Sequence, residues 1–65
     1  MSWAQEIRFW RTPDFGPGRG CAVFLDRAGS VFALYVFQNG PVRRAQYHDE
    51  QEAIAAFNEE VRRLD

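Results

Sequence analysis

These 65 residues include one cysteine, one histidine and no lysine. Each scarcity removes a class of protein. A single thiol, Cys21, forms no internal disulfide, so the chain is not a stapled secreted scaffold. A structural zinc site takes about four Cys or His ligands. Cys21 and His48 supply two, so no metal is expected, and no cofactor motif stands out either. No segment approaches the roughly 20 apolar residues of a membrane span, so no membrane partner is expected. The opening MSWAQEIRFW carries charges where a secretory core is apolar, so a signal peptide is not expected. A cytoplasmic protein is the default that an unpaired cysteine fits.

Hydrophobic residues make up 46% and aromatics 15%, which is enough for one dense core. A domain of this size still buries only about 60% of the surface its unfolded chain exposes. With no disulfide or metal to help, the support left is that core or a partner. All eight basic residues are arginine, the side chain that forks onto carboxylates and phosphates. A GC-rich coding sequence gives the same bias. The net charge is −1, with an uneven spread. Residues 1–48 set six arginines against Glu6, Asp14 and Asp26, an excess of +3. Residues 49–65 set Arg62 and Arg63 against six acids, an excess of −4. Neither half is charged enough for a nucleic-acid footprint.

The pattern predicts a single α+β domain, a small antiparallel meander of three or four strands with one C-terminal helix, ββββα. Residues 3–11 alternate loosely, with Trp3, Ile7 and Phe9 on one side and Ala4, Arg8 and Trp10 on the other. An edge strand and a short helix both fit them. Residues 12–20, TPDFGPGRG, form a loop rich in proline and glycine. Strands follow at 21–26, 30–38 and 42–47. Asn39-Gly40 is a hairpin signal of type I′, and Pro41 beside it places the last strand at an edge. Asp49 caps a helix over residues 49–64, with Glu52 spaced as in a capping box. Ile54, Phe57, Val61 and Leu64 form its apolar stripe.

Strand 30–38, SVFALYVFQ, is apolar on both sides, so both faces of its sheet need cover. The Asn39-Gly40 turn pairs Phe37 with Val42, Tyr35 with Arg44, Leu34 with Ala45 and Phe32 with Tyr47. A turn at Ala28-Gly29 would pair Leu25 with Phe32 and Val23 with Leu34; a bulged three-residue turn would swap the sides of strand 21–26. With the two-residue turn, the first face holds Cys21, Val23, Leu25, Phe32, Leu34, Val36, Ala45 and Tyr47. The second holds Phe24, Val31, Ala33, Tyr35, Phe37, Val42, Arg44 and Gln46. The more continuous first face takes the helix, whose four stripe residues contribute roughly 1.5–3 kcal/mol each on burial. Two readings stand for the second face. Either Trp3, Phe9, Trp10 or Phe15 folds over it, or it is an apolar patch with a polar rim that receives a partner.

Reaction chemistry finds little support. Cys21 lies in an apolar strand that disfavours its thiolate. His48 sits at a strand-to-helix junction. Asp49, Glu50 and Glu52 are the acids that a first helical turn prefers. GPGRG, residues 16–20, offers backbone N–H groups and Arg19 to a phosphate, without the lysine or spacing of a P-loop. No catalytic residue and no small-molecule substrate is expected.

The sequence therefore predicts a non-enzymatic protein–protein interaction module that binds a protein or a second copy of itself through the apolar, aromatic second face or through a sheet edge. Its sites would be Tyr35, Phe37, Val42 and Arg44, with Arg43 in support. A short chain without a catalytic constellation suits an inhibitor or adaptor of the phage or mobile-element type. The alternative is a nucleic-acid-binding module using Arg8, Arg11, Arg43 and Arg44 with sheet aromatics. Three strands followed by QEAIAAFNEEV at 51–61 resemble AP2-type and integrase-arm DNA-binding domains over residues 21–64. That resemblance implies a sheet laid in the major groove with a helix behind it. The strand residues here are more apolar than base-reading requires, so the resemblance transfers no site residue.

Overall fold

The computed structural model describes residues 4–65. Trp3 lies outside the described residues. Four strands, β1 (Ala4–Arg11), β2 (Cys21–Ala28), β3 (Val31–Gln38) and β4 (Val42–Tyr47), precede one helix, α1 (Glu50–Leu64). The strands form one antiparallel sheet in the order β1-β2-β3-β4, so the chain has the ββββα arrangement. Residues 4–11 are a strand, and β1 and β4 are the edges.

Turn chemistry fixes most of the register. Asn39 and Gly40 both take positive φ, 54° and 117°, as a type I′ turn requires. Phe37 faces Val42, Tyr35 faces Arg44, Leu34 faces Ala45 and Phe32 faces Tyr47, all as the sequence predicts. The β2–β3 hairpin turns one residue later than expected, at Gly29-Ser30. Gly29, at φ 64°, takes the first turn position, where a type II′ turn wants glycine. Leu25 therefore pairs with Leu34 and Val23 with Val36, two residues from the expected partners. A shift of two preserves the side-chain alternation, so both expected faces survive.

β1 departs from simple alternation. Its pairing with β2 slips between Glu6 and Arg8, a β-bulge that inserts one residue. Ile7 and Trp10 are three apart, an odd spacing that a regular strand sends to opposite faces. The bulge brings both against the core. Phe9, paired with Phe24, then points to the second face. Ile7 and Phe9, expected on one side, lie on opposite sides, and Trp10 belongs to the core.

The core lies between the first face and α1. Val23, Leu25, Phe32, Leu34 and Val36 meet Ala53 and Phe57 there. The small side chain of Ala53 lets the helix approach closely, so Ala53 and Phe57 form the buried centre. Ile54, Ala56, Val61 and Leu64 pack around it. The Asp49 carboxylate accepts from the Gln51 N–H at 3.1 Å, capping the helix. Glu52 makes no reciprocal capping bond among the described residues.

The loop at 12–20 is built, not slack. Gly16 and Arg19 exchange both backbone hydrogen bonds, at 3.0 and 3.1 Å, around Pro17-Gly18. The Thr12 hydroxyl accepts from the Cys21 N–H at 3.0 Å. Gly20 donates to Asn39 Oδ1 at 3.2 Å, and its carbonyl accepts from the Asn39 N–H at 2.8 Å. The loop thus clasps the β3–β4 turn.

Candidate functional site

The second face is the side of the sheet away from α1, and its layout follows from the pairing. Three rows cross all four strands, and a fourth, Ala4, Ala28 and Val31, crosses β1 to β3. The first is Arg11, Ala22, Phe37 and Val42; the second is Phe9, Phe24, Tyr35 and Arg44; the third is Glu6, Asp26, Ala33 and Gln46. Aromatic rings occupy the middle of this face. Phe9 and Phe24 have centroids 4.7 Å apart. Phe24 meets Phe37 edge-on at 5.5 Å, and Phe37 meets Phe15 of the loop edge-on at 5.8 Å. These four rings make one continuous band in geometries that aromatic pairs favour. Arg44 lies 5.7 Å over the Tyr35 ring, a cation–π contact.

The band is open to solvent. Phe9 is 44% exposed and Val42 55% exposed. Phe15, Phe24, Tyr35 and Phe37 are half-buried, sheltered by one another. Beside Phe37 the face runs into a cleft of about 310 Å³ lined by Phe15, Gly16, Pro17, Gly18 and Gly40. β1 lies in the plane of the sheet, so the N-terminal strand widens this face rather than folding over it. Of the residues expected to cover the face, Phe9 and Phe15 join its surface and Trp10 goes to the core.

The structure brings together four of the five predicted interaction residues, Tyr35, Phe37, Val42 and Arg44. Arg43 is elsewhere. It pairs with Val36, points to the first face, and forks onto Glu60 at 3.1 and 3.3 Å. Glu60 also receives Arg63 at 2.7 Å. From the sequence, Phe9 and Phe15 are expected only as cover over the second face, not as members of its surface, and Arg11 is not placed on it. The odd spacing of Ile7 and Trp10 was the available signal for Phe9.

Glu60 is only 17% exposed. The Arg43 hydrogen bond holds its carboxyl below the ordinary value of 4.5, against the effect of burial and with help from Arg63. The fold therefore prefers the ionised acid. That stability is full above the unfolded carboxyl's pKa and is lost as the pH falls through the lowered folded one. Glu60→Gln is expected to cost up to about 1 kcal/mol at neutral pH, since both arginines are half-exposed and solvent screens the pairs. The gap between variant and wild type should close on acidification. Urea unfolding across a pH series checks this, and a gap constant with pH would dismiss the ion pairs as its source.

The other chemical candidates are dispersed. Cys21 faces Gln38 at one end of β3, while Tyr47, next to His48, faces Phe32 near the other. Six residues of extended strand separate those ends, about 20 Å, so thiol and imidazole form no dyad. Among the described residues no three His, Cys, Asp or Glu side chains gather as a metal site. The amides of Gly16, Arg19 and Gly20 are all engaged within the protein, which leaves the glycine loop no nest for a phosphate. No described helix is long and apolar enough to cross a membrane. Comparison with protein-family models, curated proteins and solved structures finds no match to this chain.

Proposed function

We propose that this chain is a non-enzymatic protein-interaction module that docks a protein on the second face of its sheet. The observation that carries this reading is the continuous, half-open aromatic band with Val42 and Arg44 at its edge. Aromatic and arginine side chains are those that anchor protein interfaces. An apolar surface of this type, rimmed by polar groups, is stabilised by being covered. A compact module of this kind suits an inhibitor or adaptor role, as in small proteins of phages and mobile elements.

The distribution of arginines favours protein over nucleic acid. Arg8 and Arg43 pair with first-face residues, whereas Arg11 and Arg44 pair with second-face residues. Arg43 is engaged by Glu60. A strand of phosphates would meet two arginines beside Glu6 and Asp26 on the second face, too weak an excess for counterion-driven binding.

The test is capture of partners with the native chain, with Tyr35→Asp and with Val42→Asp. Both positions are solvent-accessible, so the helical circular dichroism signal should be retained. A protein complex that survives high salt and nuclease and is lost with both variants is the expected result. A nuclease-sensitive complex that dissociates steeply with salt would replace this reading with the nucleic-acid one. Unfolding by both substitutions would make the second face internal core.

A further inference from the structure

We infer that the partner of the second face is a second copy of this chain, stacked sheet on sheet with its strands reversed. The inference rests on the proposed docking surface and names its occupant from the charges around it. All three ion pairs in the described structure lie on the helix side, Arg43–Glu60, Arg62–Glu59 and Arg63–Glu60. The four charges of the second face, Glu6, Asp26, Arg11 and Arg44, make no ion pair among the described residues. Glu6 and Asp26 are direct cross-strand neighbours. Like charges in that position repel, and no ion pair among the described residues relieves them.

The pairing also segregates these charges. Arg11 is in the row at one end of the face, and the acids are two rows away toward the other end, with the row of Ala28 and Val31 beyond them. The aromatic row with Arg44 at its edge lies between Arg11 and the acids. The face sums to zero charge and is polar along the strands. It is therefore complementary to itself when reversed, and offers no surplus charge to a strongly acidic or basic partner.

A two-fold axis lying in the sheet plane, across the strands and through the Phe9–Phe24–Tyr35 row, performs that reversal. Such an isologous contact makes every pairing twice. Arg11 of each copy comes over Glu6 of the other, with Asp26 adjacent. Phe37 comes over the other copy's Ala33, which is already buried at 8% exposed, so the ring meets mainly the side chains around it. The rings of the middle row meet their counterparts. The two Arg44 side chains also come together at the β4 end of the axis, each held over its own Tyr35. This is a like-charge approach at the solvent-exposed rim that weakens the contact. Four strands about 4.8 Å apart, three of eight residues and one of six, present roughly 500 Å². Two copies bury about 1,000 Å², the lower bound of a specific interface. The dimer is accordingly weak, reversible and dependent on concentration.

Sedimentation equilibrium from sub-micromolar to submillimolar concentration tests this with three proteins: the native chain, Arg11→Glu and Glu6→Arg. Both substituted side chains are exposed, and circular dichroism is to check that the variants fold. The native chain should pass from monomer to dimer. Each variant alone opposes like charges in the stack and should associate at least about tenfold more weakly. An equimolar mixture of the two variants restores opposite charges at both contacts. The carboxylate introduced at position 11 of one variant meets the guanidinium introduced at position 6 of the other, and the unchanged Glu6 of the first meets the unchanged Arg11 of the second. The mixture should therefore regain native association as a heterodimer. A native chain that stays monomeric overturns the inference, as does a mixture no better than its components. Either failure leaves the docking surface itself to be judged by capture of a different protein that Val42→Asp abolishes.

Discussion

Gly20→Ala is expected to cost about 3 kcal/mol or more, a large part of the stability of a domain this size. Gly20 is buried, with φ at +75°. An added Cβ would lie 2.6 Å from Phe15 Cα, 2.8 Å from Phe15 N and 2.9 Å from the Thr12 hydroxyl. The first two are backbone atoms, which no change of rotamer can move aside. The left-handed conformation alone costs an alanine about 1–2 kcal/mol. Relief of the overlap would pull Gly20 from Asn39, whose two hydrogen bonds contribute about 0.5–1.5 kcal/mol each. The combined loss is about 3 kcal/mol or more, against a total stability of roughly 3–10 kcal/mol for a chain this long. Gly18→Ala is the matched control. Gly18 has nearly the same φ, +74°, with nothing within 4 Å of the new Cβ. It should lose only the conformational term, about 1–2 kcal/mol. Urea unfolding of both variants separates the effects, and equal losses would mean that close packing around Gly20 contributes nothing.

The clasp behind that prediction was not legible in the sequence. Gly20 and Asn39 are 19 residues apart, and nothing local to either names the other. What was legible depended on local chemistry with one solution. Asn39-Gly40 admits a two-residue turn, and that turn alone set every pairing between β3 and β4. The Gly29 turn was misplaced by one residue because a glycine fits either turn position until the turn type is known. The error was harmless to the faces because the pairing moved by an even number.

The β1 bulge mattered more for the candidate site. It was hidden because a bulge is stabilised by tertiary packing, here the burial of both Ile7 and Trp10. It sent Phe9 to the second face and so completed the aromatic band. Arg43 illustrates the opposite case. It is next to Arg44 on a regular strand, so alternation alone assigns the two to opposite faces. Its partner Glu60 could not be read, since the crossing of α1 over β4 is set by packing.

Phe57→Ala should have an effect of similar size for a different reason. Phe57 is buried at the centre of the helix–sheet contact, and α1 is the only helix in the described chain. Truncating a buried phenylalanine removes its apolar burial and leaves a cavity, about 3–5 kcal/mol in all. Neighbouring Ala53 is too small to fill the space, and the strands beneath are held by their own hydrogen bonds. The loss is again a large part of the domain's stability. Its consequence also differs from that of Gly20→Ala. Detaching α1 bares the first face while the second face is already open, so the sheet becomes apolar on both sides. β1 and β4 leave it two unprotected edges, and the expected outcome is aggregation on warming. Val61→Ala, at a partly buried position nearer the helix end, should lose less and remain soluble. Thermal unfolding followed by circular dichroism, with light scattering on the same samples, makes the comparison. A Phe57→Ala protein that keeps its midpoint and its solubility would show that the sheet does not depend on the helix for cover.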